Sequence, residues 1–224
     1  MTEKKTCYRC EATATTREHV PPKCFFPEAK DFRDRDLRRG LITVPSCRRH
    51  NTSRSKDDEY AMAVTVAHVA TNAVARRHFA SKVVRALSRS HAFASSVFSN
   101  PRGVRVRGQP SVAVDVDLDR FYGVMESICC ALAFRDLRRK LLENQVVWAP
   151  AFRHSHLDSD SEGMAHAFRA RLLLKASAWR GANPSVFRYQ VFDSPGRITV
   201  FRLSFYEGFD VYAVAGLRSR GRAA

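Results

Sequence analysis

The chain has 224 residues, 45% of them hydrophobic, which is enough to bury a core in one ordinary domain or two small ones and excludes disorder over the whole length. Lys and Arg number 38 against 22 Asp and Glu, a formal charge of +16, so the surface is expected to attract polyanions, nucleic acid first. A polar, charged start and the lack of any long apolar stretch disfavour secretion and membrane insertion, and a cytoplasmic location is expected.

Cysteine spacing gives the first signal along the chain. Six cysteines are compatible with three disulfides, but in a reducing compartment closely spaced thiols are better read as metal ligands. Cys7 and Cys10 form a C-x-x-C and Cys47 with His50 a C-x-x-H, two knuckles that supply the four ligands of a tetrahedral structural zinc. Cys24, Cys129 and Cys130 have no such spacing; the last two lie in the apolar run 128–134 and are expected as buried, inert thiols.

Between the knuckles, Arg17 to Val20 reads as a strand stopped by Pro21 and Pro22, and Leu41 to Val44 as a second running into Pro45. With a helical turn after Cys47 these make a small ββα unit. Apart from its metal ligands, that unit offers little that looks like a conventional core. Ser55-x-x-Asp58 has the form of a capping box, and one long helix is predicted from there to about Ser88, with Arg76, Arg77, Arg85 and Arg89 on its second half. His68 and His78 fall within it and are expected to pack or to face solvent. Residues 90–109 read as a connection with a short strand at Val104 to Arg107, and Val112, Val114 and Val116 alternate as a half-buried strand does.

A second helix is predicted from Leu118 to Glu143. Phe121, Met125, Ile128 and Leu132 share one face, and Arg135, Arg138, Arg139 and Lys140 close it. His154, His156 and Asp158 superficially suggest a metal site but are better read as an exposed loop. Residues 163–179 read as a third helix, and 186–192, 198–206 and 209–215 as an antiparallel meander, followed by a basic tail with Arg218, Arg220 and Arg222.

The residues Arg17-Glu18-His19-Val20-Pro21-Pro22-Lys23 and Val44-Pro45-Ser46-Cys47-Arg48-Arg49-His50-Asn51, set in the cysteine frame, resemble the zinc-containing branch of the His-Asn-His (HNH) endonucleases. The resemblance covers about the first sixty residues. It implies a ββα-metal module at 1–58, followed by a basic α+β region at 59–224 that binds nucleic acid or a partner. It gives His19 the role of general base, and Glu18 and Asn51 those of ligands to a catalytic Mg²⁺ or Mn²⁺ distinct from the zinc. Asn51 is alternatively a helix N-cap.

The chemistry agrees with the residue types. Phosphodiester hydrolysis needs an activated water, a cation to take up charge, and donors that hold the phosphate. Histidine suits the first task, carboxylate and amide oxygens suit a hard cation, and Arg54 and Lys56 are candidates to hold phosphate. Neighbouring side chains on a strand point to opposite faces, so Glu18 and His19 share a centre only if the strand bends or ends there.

Two departures from the family pattern stand out: no Asn occurs between His19 and Asn51, where the family has its middle Asn, and His50 replaces a more usual fourth Cys. The expected activity is that of a metal-dependent endonuclease, on DNA rather than RNA by resemblance. The alternatives are a zinc-dependent nucleic-acid-binding protein with a degenerate, inactive centre and, less favoured by the charge, a zinc-based protein-interaction module.

Overall fold

The computed structural model describes residues 5–32, 35–106, 108–141, 145–152 and 161–216, the side chains of 161–167 excepted. The predicted endings at Glu143 and Arg107, the group His154, His156 and Asp158, and the tail arginines lie outside the described residues. The architecture is mixed α+β. Strand β1 (Thr16–Val20) pairs antiparallel with β2 (Ile42–Ser46), and helix α1 (Arg48–Asn51) follows directly. Pro45 is tolerated inside β2 because this strand is paired on one side only.

The predicted long helix is broken. It becomes α2 (Ser55–Ala67), α3 (Ala73–His78), a π-helical turn at Phe79–Val83, and α4 (Val84–Arg89), with α5 (His91–Val97) after it. Tertiary contacts account for the first break. His68 takes extended backbone angles, and the Asn72 side chain caps α3 by accepting from the Ala75 amide at 3.1 Å. The Asn72 amide also donates to Ser185 O and to Glu207, both at 2.8 Å, tying the break to the far end of the chain. The Ser55–Asp58 capping box does not form: Ser55 is already the first residue of α2, which starts without a side-chain cap.

Strands β3 (Ser99–Val106) and β4 (Gln109–Asp115) form a separate two-stranded ribbon, longer and more exposed than the predicted half-buried strand. Helix α6 (Leu118–Asp136) is capped by Asp117 and ends within the predicted basic cluster, with Arg135 in its last turn and Arg138, Arg139 and Lys140 beyond it. Phe121, Met125, Ile128 and Leu132 are buried on it as predicted, as are Cys129 and Cys130.

Strand β5 (Gln145–Trp148), helix α7 (Ser161–Leu174) and β6 (Arg180–Asn183) precede the meander β7 (Phe187–Ser194), β8 (Ile198–Phe205) and β9 (Phe209–Ala215). The five strands make one antiparallel sheet in the order β5-β9-β8-β7-β6. Phe201, Leu203, Phe205, Val211 and Ala213 face the main core, while Val200, Tyr212 and Val214 alternate to the other side and meet Ala170 and Leu174 of α7. Both faces are covered, which explains why apolar residues occur on both faces of these strands.

The main core runs from Cys7 to Ala215. Contrary to the expectation of a core-poor N-terminal unit, Tyr8, Val20, Phe25, Phe26, Phe32 and Val44 are all buried in it. Phe25 packs on Phe205 with ring centroids 5.1 Å apart, and the Tyr206 hydroxyl donates to Phe25 O. Phe25 thus gains cover from the C-terminal sheet, about 180 residues away, so local patterning gave no sign of it. His78 is buried too, with Nδ1 2.9 Å from the Tyr206 hydroxyl. No helix among the described residues is long and apolar enough to cross a membrane.

Candidate metal centre and adjoining cleft

The first knuckle is a tight loop closed by the bridge between Thr6 and Thr13 and by Cys7 N–H donating to Ala12 O at 2.9 Å. Tyr8 N–H donates to Pro45 O at 2.9 Å, which lashes this loop to β2. The second knuckle is the start of α1, where the His50 and Asn51 amides both donate to Cys47 O at 3.1 Å. Together the two bring Cys7, Cys10, Cys47 and His50 to one point, with their ligand atoms all within 4.8 Å of one another.

The separations suit zinc. Bonds of about 2.3 Å to sulfur and 2.0–2.1 Å to nitrogen in a tetrahedron place two sulfurs about 3.8 Å apart and sulfur about 3.5 Å from nitrogen. Cys10 Sγ lies 3.9 Å from Cys47 Sγ, and His50 Nδ1 lies 3.5 Å from Cys7 Sγ and 3.3 Å from Cys47 Sγ. Burial raises the Cys7 thiol, but backbone hydrogen bonds at Arg9, Cys47 and Cys10 outweigh it and bring it below the ordinary thiol range, toward the thiolate a metal needs. None of the six cysteines is in a disulfide.

A metal held by His50 would fix the backbone at Asn51. The Asn51 side chain turns back to β1, its Nδ2 donating to Thr16 Oγ1 at 3.0 Å and to Arg17 O at 3.3 Å. It caps no helix with its side chain. Thr16 and Glu18 share a strand face, so Asn51 and Glu18 lie on the same side of the hairpin.

Glu18 points inward. Ser46 Oγ donates to it at 3.4 Å, and its surroundings include the Tyr8 phenol and the Arg54 and Arg9 guanidiniums. Burial raises its carboxyl above the usual range despite these donors and cations. Beside it, Asp58 at the start of α2 is pushed up to about 7 by burial and by the Glu18 charge. Arg9 and Arg54 both donate to Ser127 Oγ on α6, so Arg54, a candidate phosphate holder, is engaged within the fold. Lys56, the other candidate, is exposed.

His19 has different company. β1 stays in register through His19↔Thr43 and Val20↔Ile42, so the strand ends one residue after His19 rather than bending at it. Alternation puts the His19 side chain on the Arg17 and Thr43 face, opposite to Glu18. Partial burial, then the charges of Lys23, Arg38 and Arg17, lower its pKa and favour the neutral ring. Even so, a small cleft between the end of β1 and α6 is lined by both Glu18 and His19, with Pro22, Asp58, Ser127 and Ile128 among its walls.

Asp58, Arg9, Tyr8 and Ser127 were not anticipated as part of this site. Asp58 carries the sequence signal of a helix first turn, and Ser127 has no signal at all, because only packing brings α6 against β1. Among the described residues no second group of three or more His, Cys, Asp or Glu side chains is placed to hold a metal. Several cations of the predicted basic helices are also engaged. Arg85 holds Asp31 through two hydrogen bonds of 3.1 and 3.0 Å, Arg77 lies over the Phe32 ring, Arg139 reaches Asp193, and Lys140 donates to Cys10 O at 2.8 Å. No protein-family model matches the chain, no curated protein is similar to it, and no solved structure matches its fold.

Proposed function

We propose that the protein is a metal-dependent endonuclease of HNH type, cytoplasmic, acting on nucleic acid and on DNA in preference to RNA. The observation that carries the reading is the tie between the Cys7, Cys10, Cys47 and His50 cluster and β1: the residue after the last ligand, Asn51, is fastened to the strand that bears Glu18 and His19. In this reading His19, neutral near pH 7, accepts the proton of the attacking water. Arg17, Lys23 and Arg38, whose charges reach His19, draw the phosphate to that edge of the cleft.

Glu18 and the Asn51 Oδ1 are the hard oxygen donors on the inner face, and Asp58 beside Glu18 adds a second carboxylate. A cation relieves the mutual repulsion of two buried acids, so this donor set suits a divalent ion. When bound, Mg²⁺ or Mn²⁺ would stabilise negative charge on the phosphate oxygens.

A specific observation favours a second reading. Glu18 and His19 occupy opposite faces of a regularly paired strand, which is what a degenerate centre that only binds nucleic acid would tolerate. Plasmid DNA incubated with zinc-loaded protein, with and without added Mg²⁺ or Mn²⁺, separates the two. Nicking that requires the added ion supports the nuclease. Salt-sensitive binding without nicking under any of these ions would leave the binding protein.

A further inference from the structure

The ribbon β3–β4 stands out because it buries almost nothing. All eight residues of β3 are exposed, and on β4 Gln109, Pro110, Val112 and Asp115 are exposed as well. Val104 and Val106 are 38% exposed and Val112 60%. An isolated two-stranded ribbon is marginal in water, and one that keeps exposed valines on both surfaces is built to be covered.

The pattern on its two faces indicates by what. From the pairing Arg102↔Ala113 through Val106↔Gln109, the side chains of Arg102, Val104 and Val106 share one face, and those of Arg105 and Val112 the other. Each face therefore carries a guanidinium next to apolar surface. A ribbon that docks flat on a protein presents one apolar face and one polar face, whereas cations on both faces suit an object held between two negatively charged walls. The described residues of the ribbon hold two arginines against one acid, Asp115, on a chain of +16.

We propose that β3–β4 is an arm that lodges in the major groove of B-form duplex DNA, with Arg102 and Arg105 reaching the phosphates of opposite walls. The groove is about 12 Å wide and admits a two-stranded ribbon. Eight residues at about 3.3 Å each extend the arm roughly 26 Å, enough to enter it. The inference rests on the nucleic-acid reading above and supplies it with a substrate class, duplex rather than single-stranded.

The test is the binding of the full-length zinc-loaded protein to a short DNA duplex as a function of salt, for native chain and R102A/R105A. The double variant is expected to lower affinity about tenfold and to flatten the dependence of log K on log salt by about 1.8, the loss of two phosphate contacts. Dimethyl sulfate should show guanine N7, a major-groove atom, protected by the native chain and open with the variant. Binding to duplex RNA, whose deep major groove does not admit a ribbon, should not differ between the two proteins. Since Arg102 also pairs with Asp115, a second variant, R105Q, checks the arm with that pair intact and should flatten the slope by about half as much. Unchanged affinity and slope in both variants would overturn the proposal, as would concentration-dependent dimerisation lost in R102A/R105A, which would assign the arm to a second copy of the chain. Because the readout is binding, a protein that binds through the arm but nicks nothing sinks the nuclease reading alone, and one that nicks while the variants bind normally sinks the arm alone.

Discussion

At the scale of single residues, the four metal ligands were fully legible, because spacing of two residues between paired ligands is a local property of the chain. Cys47→Ser should lose the zinc, measured as metal per chain, and with it the anchoring of α1, since metal binding of this kind is folding free energy. A folded variant that keeps one zinc would contradict the ligand set. Asp58 was not legible, and it supplies a prediction with a definite sign. Its carboxyl titrates near 3.8 when exposed and at about 7 in the fold, so the fold holds its proton more tightly than the unfolded chain does. The stability this contributes is complete below about pH 3.8 and is lost as pH rises through about 7. Without added divalent ion, Asp58→Asn should therefore gain in thermal stability over the native protein at pH 8 relative to pH 5. An equal difference at both values would show that Asp58 is not held in a desolvated, acid-paired site.

Between residues and elements, periodicity was a good guide wherever packing agreed with it, as on α6 and in the meander, where turn residues and alternation coincide. It failed from residue 68 to 72. No Gly or Pro marks a stop there, but Asn72 has better partners in its cap to Ala75 and its hydrogen bonds to Ser185 and Glu207, which the local sequence does not reveal. Asn72→Ala should cost about 1–2 kcal/mol, read as a shift in urea midpoint, because a cap and two tertiary hydrogen bonds go together. Gly208 makes the same junction tighter still. A Cβ at this position would fall 1.8 Å from Ala70 O and 3.0 Å from Thr71 N, both backbone atoms that cannot swing aside. Gly208→Ala is thus expected to lower the melting temperature by more than Asn72→Ala, and a neutral effect would show that α2 and α3 do not meet the β8–β9 turn as described.

For the whole molecule, composition gave the class and the charge, but not how the charge is used. Several cations of the basic region expected to bind nucleic acid or a partner also hold the fold together, as Arg85 holds Asp31 and Lys140 holds the first knuckle, since a guanidinium or ammonium that finds a carboxylate or carbonyl in the fold is no longer a plain surface group. Exposed cations near the hairpin include Lys23, and Arg48, Arg49 and Lys56 at the starts of α1 and α2. The N-terminal unit shares one core with the C-terminal sheet, which places the hairpin and the cleft against α6 on a common scaffold. The central claim is that this scaffold presents His19 as a neutral base to a phosphodiester. The measurement that tests it most directly is the rate of plasmid nicking by native protein and His19→Ala at equal zinc content in added Mg²⁺, as a function of pH. The rate for the native protein should rise with pH through a midpoint below the ordinary histidine value of 6.5, because burial and the neighbouring cations disfavour the charged ring. His19→Ala should bind DNA as tightly and nick it about 10²–10⁴-fold more slowly, with that pH limb gone. Equal nicking by the two proteins, or none by either, would contradict the account.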